Sequence, residues 1–229
     1  MDPVPEPGSA RRFDAVLFDL DGVLVDTEPW WDEVRVVFAR AHGRAWGPDD
    51  QAAVMGGNSL EWAKIMADRL DLPDVSLETI LRAVVDGVVG CYRRTAEPPV
   101  IGDAPAQVRR IATMLPVAIA SSSHREVIEA AVDALGLHDV LTAIVSSDEV
   151  PSGKPAPDVY LRAAAKLGVE PARCLVVEDS INGVRAGKAA GMTVVLVPNP
   201  SVPPAGNARD LADVVLARLA DLDPERLPA

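Results

Sequence analysis

The chain has 229 residues, of which 48% are hydrophobic and 24% charged, and its formal net charge is −12. This length and composition suit a globular protein with one large domain, or one domain that carries an insert. The sequence has no cluster of Lys and Arg that could displace counterions from nucleic acid, and no apolar run near the ~20 residues that cross a bilayer. We therefore expect neither a nucleic-acid partner nor a membrane anchor.

The N-terminus and the cysteines bear on where the protein works. The first twelve residues are rich in proline and lack an apolar core, which predicts a flexible tail over residues 1–12 and not a secretion signal. Cys91 and Cys174 are the only cysteines and lie far apart in the chain, which argues against a disulfide framework and against a zinc site. These features predict a cytoplasmic protein.

Short apolar runs recur along the chain, and each is bounded by polar or turn residues. The runs are Ala15–Phe18, Val117–Ala120, Ala143–Val145, Leu175–Val177 and Thr193–Val197. Runs of this kind are typical of strands buried on both faces of a parallel sheet. Helical patterns lie between them, two of which begin at the candidate N-caps Asp158 and Ser180. The alternation predicts an α/β fold with a doubly wound, Rossmann-like parallel sheet.

One segment departs from this alternation. Residues 28–96 contain three amphipathic helical patterns and no clear strand: PWWDEVRVVFARAHG, SLEWAKIMADRL and SLETILRAVVDGVVGCYRR. An all-helical insert after the first strand predicts a small cap domain over residues 28–96. The catalytic core would then comprise residues 13–27 and 97–229, with hinges near Val25–Pro29 and Ala96–Val100.

Two carboxylates follow the first apolar run, in the stretch DLDGVLVDTE. Only Leu20 separates Asp19 from Asp21, and like charges this close push one group toward protonation unless a cation lies between them. Ligands of open α/β sheets bind beyond the carboxyl ends of the strands. Polar residues follow the other strands at the same edge: Ser121, Ser122, Ser123, Lys154, Glu178 and Asp179. Several carboxylates in one crevice favour a hard cation such as Mg²⁺, which prefers oxygen ligands.

Four stretches resemble, in order, the four motifs of the haloacid dehalogenase superfamily of phosphotransferases. They are DLDGVLVDTE, IASSS, GKPAPD and VVEDSINGVRAGKAAG, within residues 13–191. The chain resembles the branch with a small helical cap after the first motif, which includes β-phosphoglucomutase-like proteins and many sugar-phosphate phosphatases. The cap is similar in position and helical character only.

The resemblance implies roles for the acidic residues. Asp19 would be the nucleophile that takes up the phosphoryl group as an aspartyl-phosphate. Asp21 would first protonate the leaving oxygen and then activate water, and its backbone carbonyl would bind Mg²⁺. Asp179 would complete the metal site together with Asp19, and Glu178 is a further candidate ligand.

The resemblance also implies which residues bind the phosphoryl group. Ser121 and the backbone amide of Ser122 would hold its oxygens, and Lys154 would neutralise the charge that it shares with Asp19. Asn58 lies in the cap stretch VMGGNSLEW, where related mutases carry an arginine that faces the site. Asn58 is therefore a candidate for substrate contact.

The acid at Asp21 favours phosphoester chemistry, because an alkoxide leaving group must be protonated. We predict a Mg²⁺-dependent phosphatase of small phosphorylated metabolites such as sugar or polyol phosphates, acting as a monomer or weak homodimer. A β-phosphoglucomutase-like mutase is the alternative. It would need cap cations for a second phosphate, with Arg35 and Lys64 as candidates. A non-catalytic phosphate-binding module is a third reading, although every core catalytic residue is present.

Overall fold

The computed structural model describes residues 12–55 and 57–227, and its centre is a six-stranded sheet. The strands are β1 (Ala15–Phe18), β2 (Val117–Ser121), β3 (Leu141–Ser146), β4 (Cys174–Glu178), β5 (Thr193–Leu196) and β6 (Val214–Val215). Their order in the sheet is β3-β2-β1-β4-β5-β6, and all neighbouring pairs are parallel. The predicted α/β class with a parallel, doubly wound sheet is confirmed.

Helices alternate with the strands and also fill the insert. Before β2 lie α1 (Glu28–Ala41), α2 (Pro48–Val54), α3 (Ser59–Leu70), α4 (Leu77–Arg94) and α5 (Ala104–Ala112). After β2 lie α6 (Arg125–Leu135), α7 (Asp158–Leu167), α8 (Ile181–Ala189) and α9 (Ala208–Leu211). None of the helices within residues 12–55 and 57–227 combines the length and apolar character needed to cross a membrane.

The central strands are mostly apolar because helices cover both faces of the sheet. All four residues of β1 are buried. Val16 and Phe18 pack on the face that α5 and α6 cover, whereas Ala15 and Leu17 pack on the face that α7 and α8 cover. Side chains of a strand alternate between faces, so a strand buried on both sides reads as a continuous apolar run.

The helical cap consists of α1 to α4. The sequence predicted three of these helices and missed α2, a seven-residue helix that begins with Pro48-Asp49-Asp50 and buries only Val54. So short a helix has no apolar stripe for a periodicity argument to detect. Trp31 of α1 and Trp62 of α3 pack edge to face with ring centroids 6.2 Å apart, and both are buried.

The chain enters and leaves the cap along two paired segments. The backbone N–H of Asp26 donates to the carbonyl of Pro99 at 2.8 Å, and that of Ile101 donates to the carbonyl of Leu24 at 3.0 Å. The first bond joins the two segments predicted as hinges, and the second joins the residues directly next to them. The domain limits at residues 28 and 96 stay a prediction.

Several element ends differ from prediction by a few residues. Strands β2 and β4 extend to Ser121 and Glu178, because these polar residues still pair through their backbones. The N-cap of α7 is Pro157 and Asp158 is the first helical residue, so the predicted cap was wrong by one position. Ser180 does cap α8, accepting from the N–H of Gly183. Almost all of the predicted tail, residues 1–12, lies outside the described residues.

Candidate active site

The register of the sheet brings together the polar residues at the carboxyl ends of β1 and β4. Phe18 pairs with Val177 of β4 and with Ile119 of β2, so β1 lies between these strands. The N–H of Asp19 donates to the carbonyl of Val177 at 3.0 Å, which sets Asp19 beside Glu178. The sheet changes direction of winding at β1, and such switch points are where open α/β sheets bind ligands.

Lys154 links the ends of these two strands. Its Nζ donates to Oδ1 of Asp19 and to Oε1 of Glu178, at 2.7 Å each, and the residue is only 6% exposed. Burial alone lowers the pKa of an ammonium, but the charges of Asp19 and Glu178 outweigh it and raise the pKa of Lys154. Lys154 is therefore a fixed cation in contact with Asp19.

Glu178 is fully buried and its two oxygens are occupied by protein donors. Oε1 accepts from Lys154 and, at 2.6 Å, from the hydroxyl of Tyr160. Oε2 accepts from the N–H groups of Asp179 and Ser180 and from the Ser180 hydroxyl. Burial disfavours its ionisation, but the charge and hydrogen bond of Lys154 prevail and lower the pKa of Glu178. It is the buried counter-ion of Lys154.

Asp19 and Asp179 are difficult to ionise without a further cation. Burial raises the pKa of Asp19 to about 7, with Lys154 opposing and Glu178 adding to the effect. Burial, followed by the charges of Glu178 and Asp19, raises the pKa of Asp179 well above its ordinary value. Ligand oxygens of Asp19, Glu178 and Asp179 lie within 4.8 Å of one another. This all-oxygen donor set fits a hard divalent cation such as Mg²⁺, which would relieve the repulsion.

Asp21 is oriented by two hydroxyl groups. Thr27 donates to its Oδ1, and Ser123 donates to its Oδ2 at 2.6 Å. His124, not Ser123, caps α6, which leaves the Ser123 hydroxyl for Asp21. Gly22 makes the turn possible: its φ is +86°, and a Cβ there would overlap the carboxylate of Asp179.

The structure brings the predicted phosphate-binding residues to the same cavity, with one exception. Ser121, Ser122 and Lys154 line it. Asn58 instead caps α3: its side-chain oxygen accepts from the N–H of Glu61 at 3.0 Å. The N–H of Asn58 in turn donates to the Glu61 carboxylate at 3.0 Å. Gly57 lines the cavity beside it, so the structure gives Asn58 a local structural partner and no contact with the cavity.

The cavity has a volume of about 370 Å³ and lies between cap and core. Polar contacts seat the cap on the core: the N–H of Ser59 donates to Asp148 at 3.1 Å, and Arg82 donates to Glu126 at 2.8 Å and lies 3.3 Å from Nε2 of His124. A doubly wound sheet with an acidic centre at its switch point, enclosed by a helical cap, defines an enzyme that encloses a small ligand during reaction.

Comparison with known proteins identifies the family. The model of the haloacid dehalogenase-like hydrolases matches residues 13–191. The chain belongs to this hydrolase family, and the resemblance read from its four motifs is confirmed.

Three curated relatives show similar identity but different lengths. The chain is 34% identical over 92% of its length to the bifunctional riboflavin kinase/FMN phosphatase of Arabidopsis thaliana, but spans only 55% of that protein. It is 33% identical to a probable pseudouridine-5′-phosphatase of Drosophila melanogaster, covering 96% of both chains. It is 32% identical to hexitol phosphatase B of Escherichia coli K12, covering 93% of this chain and 95% of the relative.

A solved structure supports the fold of core and cap together. The crystal structure of CbbY from Rhodobacter sphaeroides in complex with phosphate superposes with a TM-score of 0.79 at 25% identity. The match covers 94% of this chain and all of that one. Sheet core and helical cap are therefore shared with it.

Gly183 is required by the packing of Glu178, which a substitution can test. A Cβ at Gly183 would overlap the Glu178 carboxylate, whereas one at Gly90, also in a helix, would meet only the movable end of Arg94. We expect Gly183→Ala to lower the free energy of unfolding by about 2 kcal/mol or more, since overpacking forces buried groups to shift. Gly90→Ala should be neutral or stabilising by up to ~1 kcal/mol. Urea unfolding of both variants measures this, and equal values would contradict it.

Proposed function

We propose that this chain hydrolyses phosphate monoesters of small metabolites, with sugar or polyol phosphates as its substrate class, through an aspartyl-phosphate on Asp19. The observation that carries the proposal is the buried contact of Asp19 with Lys154, 2.7 Å long, beside an oriented Asp21. A nucleophilic carboxylate next to a fixed cation and an acid–base group is the arrangement that phosphoryl transfer to a carboxylate requires.

In the first half-reaction, a carboxylate oxygen of Asp19 attacks phosphorus and the bond to the leaving oxygen breaks. Asp21 donates a proton to that oxygen, which departs as an alcohol. Thr27 and Ser123 orient the Asp21 carboxyl group for this transfer. In the second half-reaction Asp21 takes a proton from water, which attacks phosphorus and releases phosphate from Asp19.

The charge of the transferred group must be balanced throughout. Lys154 supplies one fixed positive charge, and Ser121 with the amide of Ser122 would donate to the phosphoryl oxygens. Asp19, Asp179 and the backbone carbonyl of Asp21 would hold Mg²⁺, which when bound neutralises phosphoryl charge. The occupied oxygens of Glu178 favour a role in holding Lys154 over direct metal binding.

The substrate class is supported by the relatives. They are named for FMN, pseudouridine 5′-phosphate and hexitol phosphates, which are all phosphate esters of hydroxylated carbon chains or sugars. A further relative, 31% identical over 81% of this chain, is a fructose-1-phosphate phosphatase of Escherichia coli.

The intact catalytic set argues against a non-catalytic module. We also propose that the protein is cytoplasmic and is a monomer or weak homodimer. Both cysteines are free, which is compatible with a cytoplasmic location.

A phosphate-release screen tests the proposal. Purified protein with Mg²⁺ should release inorganic phosphate from hexitol, ketose and nucleoside monophosphates. It should not convert β-glucose 1-phosphate to glucose 6-phosphate. Isomerisation without release of phosphate would favour the mutase, and no turnover of any ester would favour a binding module.

We expect EDTA to abolish hydrolysis, and Mg²⁺ added in excess to restore it. Ca²⁺ should not restore it, because Ca²⁺ accepts more ligands at longer distances and tolerates a bidentate carboxylate, which would occupy the attacking oxygen of Asp19. The measurement is the initial rate on p-nitrophenyl phosphate after chelation and readdition of each ion. Full activity with Ca²⁺ alone would contradict this account of the site.

A further inference from the structure

Arg35 of α1 is a buried cation on the part of the cavity wall that the cap contributes. Its guanidinium lies over the rings of Trp31 and Trp62, 5.2 and 5.8 Å from their centroids. Nη1 donates to Oε1 of Gln51 at 3.0 Å, and this is the one hydrogen bond of the guanidinium within the described residues. The group has five N–H donors, and the buried Nε is without a partner in the same part of the chain. Arg35 is therefore rigidly held but mostly unpaired.

Glu28 lies on the same face of α1, two turns earlier, and lines the same cavity. Its carboxylate has no hydrogen-bond partner within the described residues. Burial and the charge of Asp21 raise the pKa of Glu28, and Arg35 opposes this. On one cavity wall the cap thus presents both the Glu28 carboxylate, which accepts from no donor of the described residues, and the Arg35 guanidinium, which donates to a single acceptor there.

We propose that Arg35 and Glu28 form a subsite for hydroxyl groups of the leaving alcohol, so that the enzyme selects monophosphates of uncharged polyhydroxylated compounds. This inference rests on the proposed phosphatase function and adds the residues that choose among its substrates. A guanidinium only donates and a carboxylate only accepts, whereas each hydroxyl group does both. A chain of adjacent hydroxyls therefore satisfies both groups at once.

A second anionic group on the substrate fits this wall poorly. It would be attracted by Arg35, but Glu28 and Asp21 line the same cavity and would repel it. A bisphosphate or a phosphorylated carboxylic acid would bring two anions into the cavity. The wall that the cap contributes already contains the Glu28 carboxylate. A binding site can gain specificity by such repulsion as well as by added attraction.

The other cationic candidate of the cap does not contribute to the cavity. Lys64 of α3 pairs with Asp68, one turn away, at 2.8 Å, and both side chains are 66% exposed. Lys64 does not line the cavity. It therefore provides a matched control, a cap cation of similar size whose removal should leave selectivity unchanged.

The test compares kcat/KM for three probes: sorbitol 6-phosphate, fructose 1,6-bisphosphate and p-nitrophenyl phosphate, whose leaving group has no further hydroxyls. Wild-type protein should prefer sorbitol 6-phosphate to the bisphosphate by about tenfold or more. Arg35→Met should lower the ratio of sorbitol 6-phosphate to p-nitrophenyl phosphate about 10- to 100-fold, the usual effect of losing hydrogen bonds to a charged group. Lys64→Met should leave that ratio as in wild type.

Glu28→Gln provides an independent test. The substitution keeps the shape of the side chain and leaves Arg35 in place, so its result does not depend on whether Arg35→Met folds. It should raise kcat/KM for the bisphosphate relative to sorbitol 6-phosphate about tenfold, since the repulsion is removed while hydrogen bonding capacity is retained. Unchanged ratios in both variants would overturn the subsite while leaving the phosphatase function intact. Failure of wild-type protein to hydrolyse any of the three probes would instead overturn the proposed function itself.

Discussion

Asp19→Asn is expected to abolish turnover, with a loss of about 10⁴-fold or more, because an amide is a poor nucleophile and no covalent intermediate can form. The variant should still fold. Burial already disfavours the charged form of Asp19, whose pKa is raised to about 7, so a neutral side chain of the same shape is tolerated there. Steady-state hydrolysis of p-nitrophenyl phosphate, with circular dichroism as the folding check, measures both expectations.

Asp14→Asn is the matched control for this variant. Asp14 directly precedes β1, whereas Asp19 follows it, so Asp14 lies at the end of the strand away from the cavity. Arg173 donates to Asp14 there at 2.7 Å. We expect Asp14→Asn to retain activity. If Asp19→Asn kept a rate within tenfold of wild type, the nucleophile would have to be sought elsewhere.

Asp21→Asn should lower kcat on an alkyl phosphate by about 10²–10⁴-fold, the range for loss of a general acid–base group. The metal site should persist, because the expected ligand from this residue is its backbone carbonyl. The loss should be smaller for the first half-reaction on p-nitrophenyl phosphate, whose leaving group needs little protonation. The measurement is a pre-steady-state burst of p-nitrophenol, since slow hydrolysis of the aspartyl-phosphate would then limit turnover.

A conservative control accompanies this variant. Ser123→Ala removes one of the two hydroxyls that orient Asp21 and should lower kcat less than Asp21→Asn does. Wild-type rates on an alkyl phosphate for Asp21→Asn would instead indicate that Asp21 acts only through its backbone.

The parts of the site that the sequence predicted are those that follow strands. Asp19, Lys154 and Asp179 come after apolar runs in a repeating α/β pattern, and parallel strands bring their carboxyl ends to one edge. The resemblance to four ordered motifs then gave these positions roles that spacing alone could not. The sequence therefore named the residues that the structure brings together at this edge, and their catalytic roles stay predictions.

The parts that the sequence did not predict depend on tertiary contacts. Tyr160 lies in an apolar helical pattern and reads as an ordinary core residue, yet its hydroxyl donates to Glu178. Thr27 and Ser123 are far apart in the sequence, yet both donate to the Asp21 carboxylate. Arg35 is buried against the rings of Trp31 and Trp62 only once α1 and α3 have packed. Asn58, which motif position suggested for substrate contact, caps a helix because its side chain is also an ideal local acceptor.

The most direct test of the central claim is identification of the phosphorylated residue. Asp21→Asn with Mg²⁺ and p-nitrophenyl phosphate would be quenched in acid during the burst, reduced with borohydride and digested for mass spectrometry. We predict that Asp19 alone is converted to the reduction product of an acyl phosphate, and that hydroxylamine treatment before reduction removes the signal. A burst with no modified peptide, or modification at another residue, would contradict a mechanism through Asp19.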